Sequence, residues 1–379
     1  MARSSPSLRL HVLALLLGFV LVAAACGDDG DSTEDGQGSA TGSQAAAEEA
    51  TDTGGEEVEE TTTTETAPTT TEDEPTTTTA QPDAETAAPV TGPGCAALTP
   101  GEVSLTLTAG GADHDVDILI PSAFAGEPLP TVLNWHGLGS NGSEQAAYSG
   151  YPALAEAEGF IVVHPTGVPA LGDDRNSWEL IDAQDPGRDD LAFAEALIDT
   201  LIEEWCADEE RIFSTGMSNG GFFTARLVCE IPERLAGAIS VAGIYHPPDC
   251  DPSEPVPFLA YHGTDDGVVP FDGSGESSLA EPGDAEAAEF FSMVMPDEFG
   301  EFAEDFGCGE PTTTDIGDTV IRYDYSGCEV PMSFFEVTGG GHTWPDSPLA
   351  PVLDVLGFHT TDVSATEDGW AFFAEVSGS

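Results

Sequence analysis

The stretch Gly216-Met217-Ser218-Asn219-Gly220-Gly221 decides the fold of this chain. An apolar run precedes it at 211–215, and a run with helical character follows it at 222–228. A serine between two glycines at a strand-to-helix junction is typical of a sharp turn that lifts the serine hydroxyl clear of a sheet. The helix that follows directs free N–H groups towards the same point. The stretch therefore predicts a serine prepared for nucleophilic attack.

Two motifs further along the chain supply the partners that a nucleophilic serine requires. The sequence His-Gly-Thr-Asp-Asp-Gly-Val-Val-Pro at 262–270 follows one predicted strand, and Gly-Gly-Gly-His-Thr-Trp-Pro at 339–345 follows the last one. We expect His342 to take the proton of Ser218 and Asp266 to orient the imidazole of His342. The order serine, acid, histidine along the chain is that of α/β-hydrolases.

Three alternative assignments stay open at this point. Asp265 is the other candidate for the acid, because only the register of the motif favours Asp266. His262 is the other candidate for the base, but it precedes the acid at a strand end and is better explained as a structural histidine. We interpret His136 as a brace for its loop rather than as a group that transfers a proton.

The tetrahedral intermediate of acyl transfer needs two preorganised N–H donors for its oxyanion. The backbone N–H of Asn219 is the first candidate, since Asn219 directly follows the predicted nucleophile. The N–H of Leu138, within His-Gly-Leu-Gly at 136–139, is the second.

The first 26 residues have the features of an export signal. Arg3 and Arg9 precede an apolar run at 10–25, which ends in three alanines and is short for a membrane span of about 20 residues. Cys26 follows directly and resembles the lipidated cysteine of a bacterial lipoprotein, with plain secretion as the alternative. An acylated Cys26 would be the attachment of the protein to a membrane, on its outer face.

Residues 27–94 contain 18 Asp and Glu, no Lys, Arg or aromatic residue, and several runs of threonine. So little apolar surface cannot offset the entropy of ordering, which predicts a disordered acidic linker. Residues 95–379 then form a single catalytic domain, in which 52 acidic residues face six arginines and no lysine. Such a charge excludes nucleic acid as a partner and favours a neutral substrate.

Six cysteines remain after Cys26, and an even number in an exported domain suggests three disulfides. Fifteen pairings are possible. The pairing that we consider first is Cys229–Cys250, Cys308–Cys328 and Cys95–Cys206. None of these cysteines has zinc-ligand spacing, and the eight histidines show no HExxH or HxH pattern, so we expect no metal and no cofactor.

Segments with strand and helix character alternate through residues 95–379. The strand-like segments are 103–108, 115–120, 131–135, 160–164, 211–215, 235–241, 256–261, 319–324 and 332–337, and the helix-like segments are 143–158, 191–205 and 366–376. The first two strands alternate like an antiparallel pair at a sheet edge. The order predicts an α/β fold with a mostly parallel central sheet and helices on both faces.

The motifs at 136–139, 216–221, 262–270 and 339–345, together with Ser-Ala-Thr-Glu at 364–367, resemble those of the polyhydroxybutyrate depolymerase and feruloyl esterase family of α/β-hydrolases. The resemblance covers about residues 100–378, which is nearly the whole folded domain. It implies the α/β-hydrolase fold.

By motif position, the same resemblance implies Ser218, Asp266 and His342 as the catalytic triad. It also implies two of the disulfides, Cys229–Cys250 and Cys308–Cys328.

Residues 272–306 depart from the family pattern: they are acidic, and they carry Phe290, Phe291, Met293, Met295, Phe299, Phe302 and Phe306. They leave the sheet just after Asp266, so a lid or acyl-binding wall is one interpretation, and a helix that packs its phenylalanines into the core is the other. Trp344 and Trp178 are candidates for lining an aromatic-acid pocket, although Trp178 fits a packing role equally well.

The sequence thus predicts an extracytoplasmic serine carboxylesterase, with a polyhydroxybutyrate-type polyester or its oligomers as the leading substrate. A feruloyl or acetylxylan esterase acting on plant polysaccharide esters is the alternative within the same class. A non-catalytic surface binding protein that keeps a hydrolase fold is the alternative from another class. The oligomeric state stays open.

Overall fold

The computed structural model describes residues 95–170, 174–180, 187–247, 250, 252–279, 285–349 and 354–378. The predicted export signal, Cys26 and the acidic linker lie outside these ranges. None of the helices within them has the length and apolar character that crossing a membrane requires.

A ten-stranded sheet forms the centre of the domain. Its strands are β1 (Gly101–Ala109), β2 (Ala112–Ile120), β3 (Leu129–Trp135), β4 (Ile161–Pro165), β7 (Ala207–Met217), β8 (Gly237–Val241), β9 (Phe258–Gly263), β10 (Gly309–Ile316), β11 (Val320–Ser326) and β12 (Met332–Val337). Two short strands, β5 (Val168–Pro169) and β6 (Asn176–Ser177), pair separately.

The strand order across the large sheet is β1-β2-β4-β3-β7-β8-β9-β12-β11-β10. The six central strands from β4 to β12 run parallel, and antiparallel strands complete both edges. This arrangement confirms the predicted mostly parallel sheet with β1 and β2 as an antiparallel edge pair. It also brings the carboxyl ends of β7, β8, β9 and β12 to one edge, where reactive groups gather in such sheets.

Helices cover both faces of the sheet. They are α1 (Gly142–Ser149), α2 (Tyr151–Glu158), α3 (Asp190–Glu204), α4 (Asn219–Glu230), α5 (Ala285–Phe290), α6 (Met295–Asp305) and α7 (Glu367–Ser377). Buried apolar side chains of α3, α4 and α6 pack in one core cluster, and those of α2 and α7 pack in a second one. Two cores divided by a sheet are what a parallel sheet with both faces buried requires.

All three predicted disulfides are present. Cys229–Cys250 and Cys308–Cys328 each close a short loop, and Cys95–Cys206 fastens the start of the described chain to the residue before β7. Disulfides persist in oxidising compartments, so the three bridges indicate an extracytoplasmic protein.

The segment 272–306 divides into two parts. In its second part, Phe299, Phe302 and Phe306 are buried in the core, which confirms the packing interpretation for these residues. In its first part, Phe290 and Phe291 are only half-buried and pack against the edge of the same core. Movement of this first part as a lid stays a prediction.

Candidate active site

Ser218 occupies the turn between β7 and α4 with φ 57° and ψ −122°, a conformation that a non-glycine residue adopts only when its surroundings impose it. Its N–H donates to the carbonyl of Val241 at 2.8 Å. A Cβ on Gly216 would collide with the carbonyl of Gly220, and one on Gly220 would collide with that of Trp135. The glycines are therefore steric requirements of the turn, as the sequence predicts.

Asp266 and His342 are brought together at the same edge of the sheet. His342 Nδ1 lies 2.8 Å from Asp266 Oδ2, while Asp266 Oδ1 accepts the N–H groups of Val268 and Val269, each at 2.8 Å. The two loops are joined because Asp265 N–H donates to the carbonyl of Gly340 at 2.8 Å. The structure thus fixes the carboxylate and the imidazole relative to each other.

The surroundings of Asp266 favour its ionised form. Burial acts to raise the pKa of this carboxyl, but the facing His342, His262 and the N–H of Val269 outweigh burial and hold the pKa below its usual range. Asp265, the alternative acid, is exposed at the surface and contributes its backbone N–H to the loop contact instead.

Ser218 Oγ and His342 Nε2 have no hydrogen-bond partner among the described residues. Both residues are largely buried, with a small exposed remainder. Catalytic hydrogen bonds are often loose in unliganded sites and tighten in the complex with substrate. Neither group is engaged by another described residue, so both are available to a substrate.

The loop that carries Leu138 is braced by His136. The N–H of Gly167 donates to His136 Nε2 at 2.9 Å, so Nδ1 carries the ring proton and donates it to the carbonyl of Gly137 at 2.7 Å. Burial lowers the pKa of His136 to about 4, which keeps the ring neutral. These contacts fit the predicted bracing role.

Gly137 brings this loop against the serine. A Cβ added to Gly137 would lie 3.3 Å from Ser218 Cβ and 3.8 Å from Ser218 Oγ. The N–H of Leu138, the next residue, has no acceptor within the described ranges. The N–H of Asn219 is at the first position of α4, where an intrahelical acceptor does not exist. Both predicted oxyanion donors are therefore available beside Ser218.

Trp178 and Trp344 are buried in the core, so the structure favours a packing role for both over the predicted lining of an aromatic-acid pocket. Trp178 is 2% exposed and stacks on Phe223, and its Nε1 donates to the carbonyl of His136 at 3.0 Å. Trp344 is fully buried, and its Nε1 donates to Thr366 Oγ1 at 2.9 Å. Each indole ring lies in the core because its N–H finds an internal acceptor there.

Sequence reasoning missed a network of buried charges behind the site. Arg226 of α4 donates to the carbonyl of Glu179 at 3.0 Å and lies 3.9 Å from its carboxylate. Arg188 forms an ion pair with Asp190, whose Oδ2 accepts the N–H of Glu179 at 2.7 Å. An arginine within an apolar helical run was the available signal, because such a residue is buried only when paired.

Tyr148 of α1 was also missed. Its hydroxyl accepts the N–H of Trp344 at 3.1 Å, and burial raises its pKa to about 12. Tyr148 thereby fastens the loop of His342 to the helix that follows the Leu138 loop. No sequence pattern indicated this contact.

One group of potential metal ligands occurs in the described residues, formed by His246, Cys250 and Asp305. Cys250 is bonded to Cys229, so its sulfur is not available as a thiolate. His246 Nε2 is 2.9 Å from Asp305 Oδ2. The group is explained by the disulfide, which joins α4 to the loop after β8, and by the contact of His246 in that loop with Asp305 of α6.

Comparison with known proteins agrees with this geometry. The phospholipase/carboxylesterase family model matches residues 124–279, which include Ser218 and Asp266. The chain has the α/β-hydrolase fold and is similar to feruloyl esterases that share it. Feruloyl esterase B of Piromyces equi is 27% identical over 245 residues, which are 62% of this chain and 43% of that protein.

Two further relatives of this α/β-hydrolase are esterases by name. NocK of Nocardia uniformis subsp. tsuyamanensis, named as an esterase, is 29% identical over 250 residues, covering 62% of this chain and 70% of NocK. The bifunctional acetylxylan esterase/xylanase XynS20E of Neocallimastix patriciarum is 25% identical over 264 residues, covering 68% of this chain and 36% of that protein. The chain thus spans less than half of the length of two of these three relatives.

Proposed function

We propose that this α/β-hydrolase is an extracytoplasmic serine carboxylesterase that acts on neutral esters. The observation that carries the proposal is the bond of 2.8 Å between Asp266 Oδ2 and His342 Nδ1, at the sheet edge where Ser218 occupies its strained turn. A buried, ionised acid that orients a histidine near a free serine hydroxyl is the arrangement that activates a serine nucleophile.

The reaction proceeds in two halves. Ser218 Oγ attacks the acyl carbon while His342 Nε2 takes its proton, and Asp266 stabilises the imidazolium that forms. The N–H groups of Asn219 and Leu138 bind the oxyanion, each contributing about 3 kcal/mol to transition-state stabilisation. His342 then gives the proton to the leaving alcohol, and water hydrolyses the acyl-enzyme by the same steps.

An aromatic cluster that begins one helical turn after the nucleophile supports a phenolic acyl group, as the names of the feruloyl esterase relatives suggest. Phe222 follows Ser218 by one helical turn, and its ring centroid is 5.5 Å from that of the half-buried Phe290. Tyr245 lies 6.5 Å from Phe290. The partly buried rings of Phe290 and Tyr245 give a flat ring a surface on which to stack, whereas a short aliphatic acyl chain gains less contact area there.

A second substrate, a polyhydroxybutyrate-type polyester or its oligomers, is favoured by a different observation. The large apolar side chains that are exposed in the described residues are Leu279 at 40%, Val355 at 56% and Phe358 at 48%. Their segments bond to the catalytic loops, through Ser278 N–H to the carbonyl of Gly267 and through Gly341 N–H to that of Phe358. Exposed apolar side chains on segments that bond to the catalytic loops of a strongly acidic protein fit a neutral, apolar polymer.

Labelling with a fluorophosphonate and turnover of p-nitrophenyl acetate test the reaction class. The purified protein should react with both. Ser218→Ala should take no label, its kcat should be lower by about 10⁵-fold, and its thermal unfolding temperature should equal that of the wild type. An intact wild-type protein that takes no label and shows no turnover would instead support a non-catalytic binding protein.

The two substrates are compared by measuring ferulate released from a feruloyl ester and 3-hydroxybutyrate released from the polyester. If the acyl group is phenolic, Phe290→Leu should lower feruloyl ester kcat/KM, and Phe358→Ser should have little effect on it. If the substrate is the polyester, Phe358→Ser should weaken polymer hydrolysis more than Phe290→Leu does.

We also propose that a lipid at Cys26 anchors the protein to the outer face of the membrane, and that nucleic acid is not a partner. The export pattern at 1–26 and the three disulfides support this location. Incorporation of radiolabelled palmitate into the wild type but not into Cys26→Ser would support the anchor. Release of both proteins into the medium would support plain secretion.

A further inference from the structure

His262 is a buried histidine that the proposed reaction does not use. It lies next to the end of β9, and its Nε2 is 2.9 Å from the carbonyl oxygen of Val269 and 3.4 Å from Asp266 Oδ2. The N–H of Val269 in turn donates to Asp266 Oδ1 at 2.8 Å. The imidazole therefore contacts both ends of the turn that carries the proposed catalytic acid.

The two neighbours of Nε2 determine which tautomer is present. A carbonyl oxygen and a carboxylate oxygen both accept hydrogen bonds, so Nε2 carries the proton. Burial is the largest influence on this ring and lowers its pKa, although Asp266 opposes that effect. His262 is thus a neutral donor, and it leaves the negative charge of Asp266 available for the imidazolium of His342.

Asp266 Oδ2 is the atom that both histidines face. His342 Nδ1 lies 2.8 Å from it and forms a hydrogen bond, whereas His262 Nε2 lies 3.4 Å from it and has its hydrogen bond with the carbonyl of Val269. The carboxylate of Asp266 is bonded by the N–H groups of Val268 and Val269 and by His342. Removal of the His262 donor would free the carbonyl of Val269 and remove the ring that lies against the carboxylate of Asp266.

We infer that His262 is a positioning residue: through Nε2–H it fixes the turn from Asp266 to Val269, so that Asp266 Oδ2 faces His342. The effect of His262 on catalysis rests on the proposed esterase function. Its effect on the hydrogen bond between Asp266 and His342 does not rest on that function. The two can therefore be tested separately.

The test compares His262→Gln, His262→Asn and His262→Leu. The amide nitrogen of Gln reaches the position of Nε2, that of Asn does not, and Leu removes the donor. With p-nitrophenyl acetate, His262→Asn and His262→Leu should have a kcat that is lower by about 10- to 100-fold and a KM within about twofold of the wild type. His262→Gln should keep most of the wild-type kcat. His164→Leu, another buried histidine replacement far from Asp266 in the chain, should leave kcat unchanged.

Proton NMR gives a readout that needs no catalysis. The downfield resonance of His342 Nδ1–H, assigned by its loss in Asp266→Ala, should be retained in His262→Gln and be shifted or lost in His262→Asn. An unchanged resonance together with an unchanged kcat in His262→Asn would overturn the inference. Equal losses of kcat and thermal stability in Gln and Asn would also overturn it, because they indicate only a folding role. A wild type without esterase activity that keeps this NMR pattern would remove the proposed function and leave the positioning role.

Discussion

Asn219 and Trp178 exchange two hydrogen bonds: Asn219 Oδ1 accepts the N–H of Trp178 at 2.6 Å, and Asn219 Nδ2 donates to its carbonyl at 3.0 Å. The indole of Trp178 donates in turn to the carbonyl of His136, at the start of the Leu138 loop. One buried tryptophan therefore connects the side chain of Asn219 with the loop that carries Leu138. Asn219 thus has a structural role through its side chain, in addition to the predicted role of its backbone N–H as an oxyanion donor.

Asn219→Ala should lower kcat by about 10-fold or more although the backbone N–H at 219 remains, because the two donors lose their common support. Two buried backbone groups of Trp178 also lose their partners, so the free energy of unfolding should fall by about 1–3 kcal/mol. Kinetics and urea unfolding measure the two effects. Asn141→Ala, which removes the N-cap of α1, is the matched control with a loss of about 1 kcal/mol and nearly full activity. An equal kcat in the two variants would contradict a role of the Asn219 side chain in supporting the two oxyanion donors.

Gly137→Ala should reduce kcat without unfolding the protein, because the new methyl group would lie 3.3 Å from Ser218 Cβ and displace the loop from the nucleophile. A shift of about 1 Å in such a site costs about 10²-fold in rate. Gly300→Ala in α6 is the control, since its methyl group meets only Tyr325 Oη at 3.9 Å. Its activity should equal that of the wild type, and its unfolding free energy should be equal or higher. Full activity in Gly137→Ala would separate this loop from the reaction.

Arg226→Met should lower the free energy of unfolding by about 3–5 kcal/mol, because it removes the buried cation that lies 3.9 Å from the buried carboxylate of Glu179. Arg234→Met is the control: Arg234 pairs with Asp199 at 2.6 Å, but Asp199 is largely exposed, and the expected loss is below about 1 kcal/mol. Urea denaturation of the two variants should separate them clearly. Similar losses would mean that the interior charges contribute no more than surface ones.

Stability should decrease on acidification because His136 and His164 are buried. Burial lowers their pKa values to about 4 and about 3, so between about pH 6.5 and pH 4 the unfolded chain binds more protons than the folded one. The contribution of each neutral histidine is therefore complete above about pH 6.5 and declines below it, by about 1 kcal/mol per histidine at pH 5.5.

His164→Leu tests this pH dependence by removing one of the two groups. The difference in unfolding free energy between pH 7.5 and pH 5.5 should be smaller in the variant by about 1 kcal/mol, whatever its absolute stability. Urea titrations at both pH values measure it. An identical pH dependence in wild type and variant would show that His164 does not resist protonation in the folded state.

The order of the elements and the position of the turn at Ser218 were predictable because they depend on local chemistry. Apolar runs separated by turn residues predict strands and helices in sequence, and only glycine fits the close backbone contacts at Gly216 and Gly220. The disulfide Cys229–Cys250 was predictable for a similar reason, since its two cysteines are near neighbours in the chain.

The acid illustrates what sequence left open. Asp265 and Asp266 are adjacent in a flexible turn, and nothing local distinguishes them. The contact between the loops after β9 and β12 makes the distinction, because Asp265 gives its N–H to Gly340 while Asp266 points its carboxylate at His342. The choice between Asp265 and Asp266 thus depends on the pairing of β9 with β12, which are far apart in the sequence.

Sequence by itself determined the strained serine, the chain order of the reactive groups and the α/β alternation, since each follows from steric and hydrophobic rules that act over a few residues. Only the tertiary structure decided that Trp178 and Trp344 are buried and that Asn219, Trp178 and His136 form one hydrogen-bonded support. Burial and the choice of hydrogen-bond partner depend on elements from distant parts of the chain. The sequence around a residue therefore does not show which neighbour will cover it.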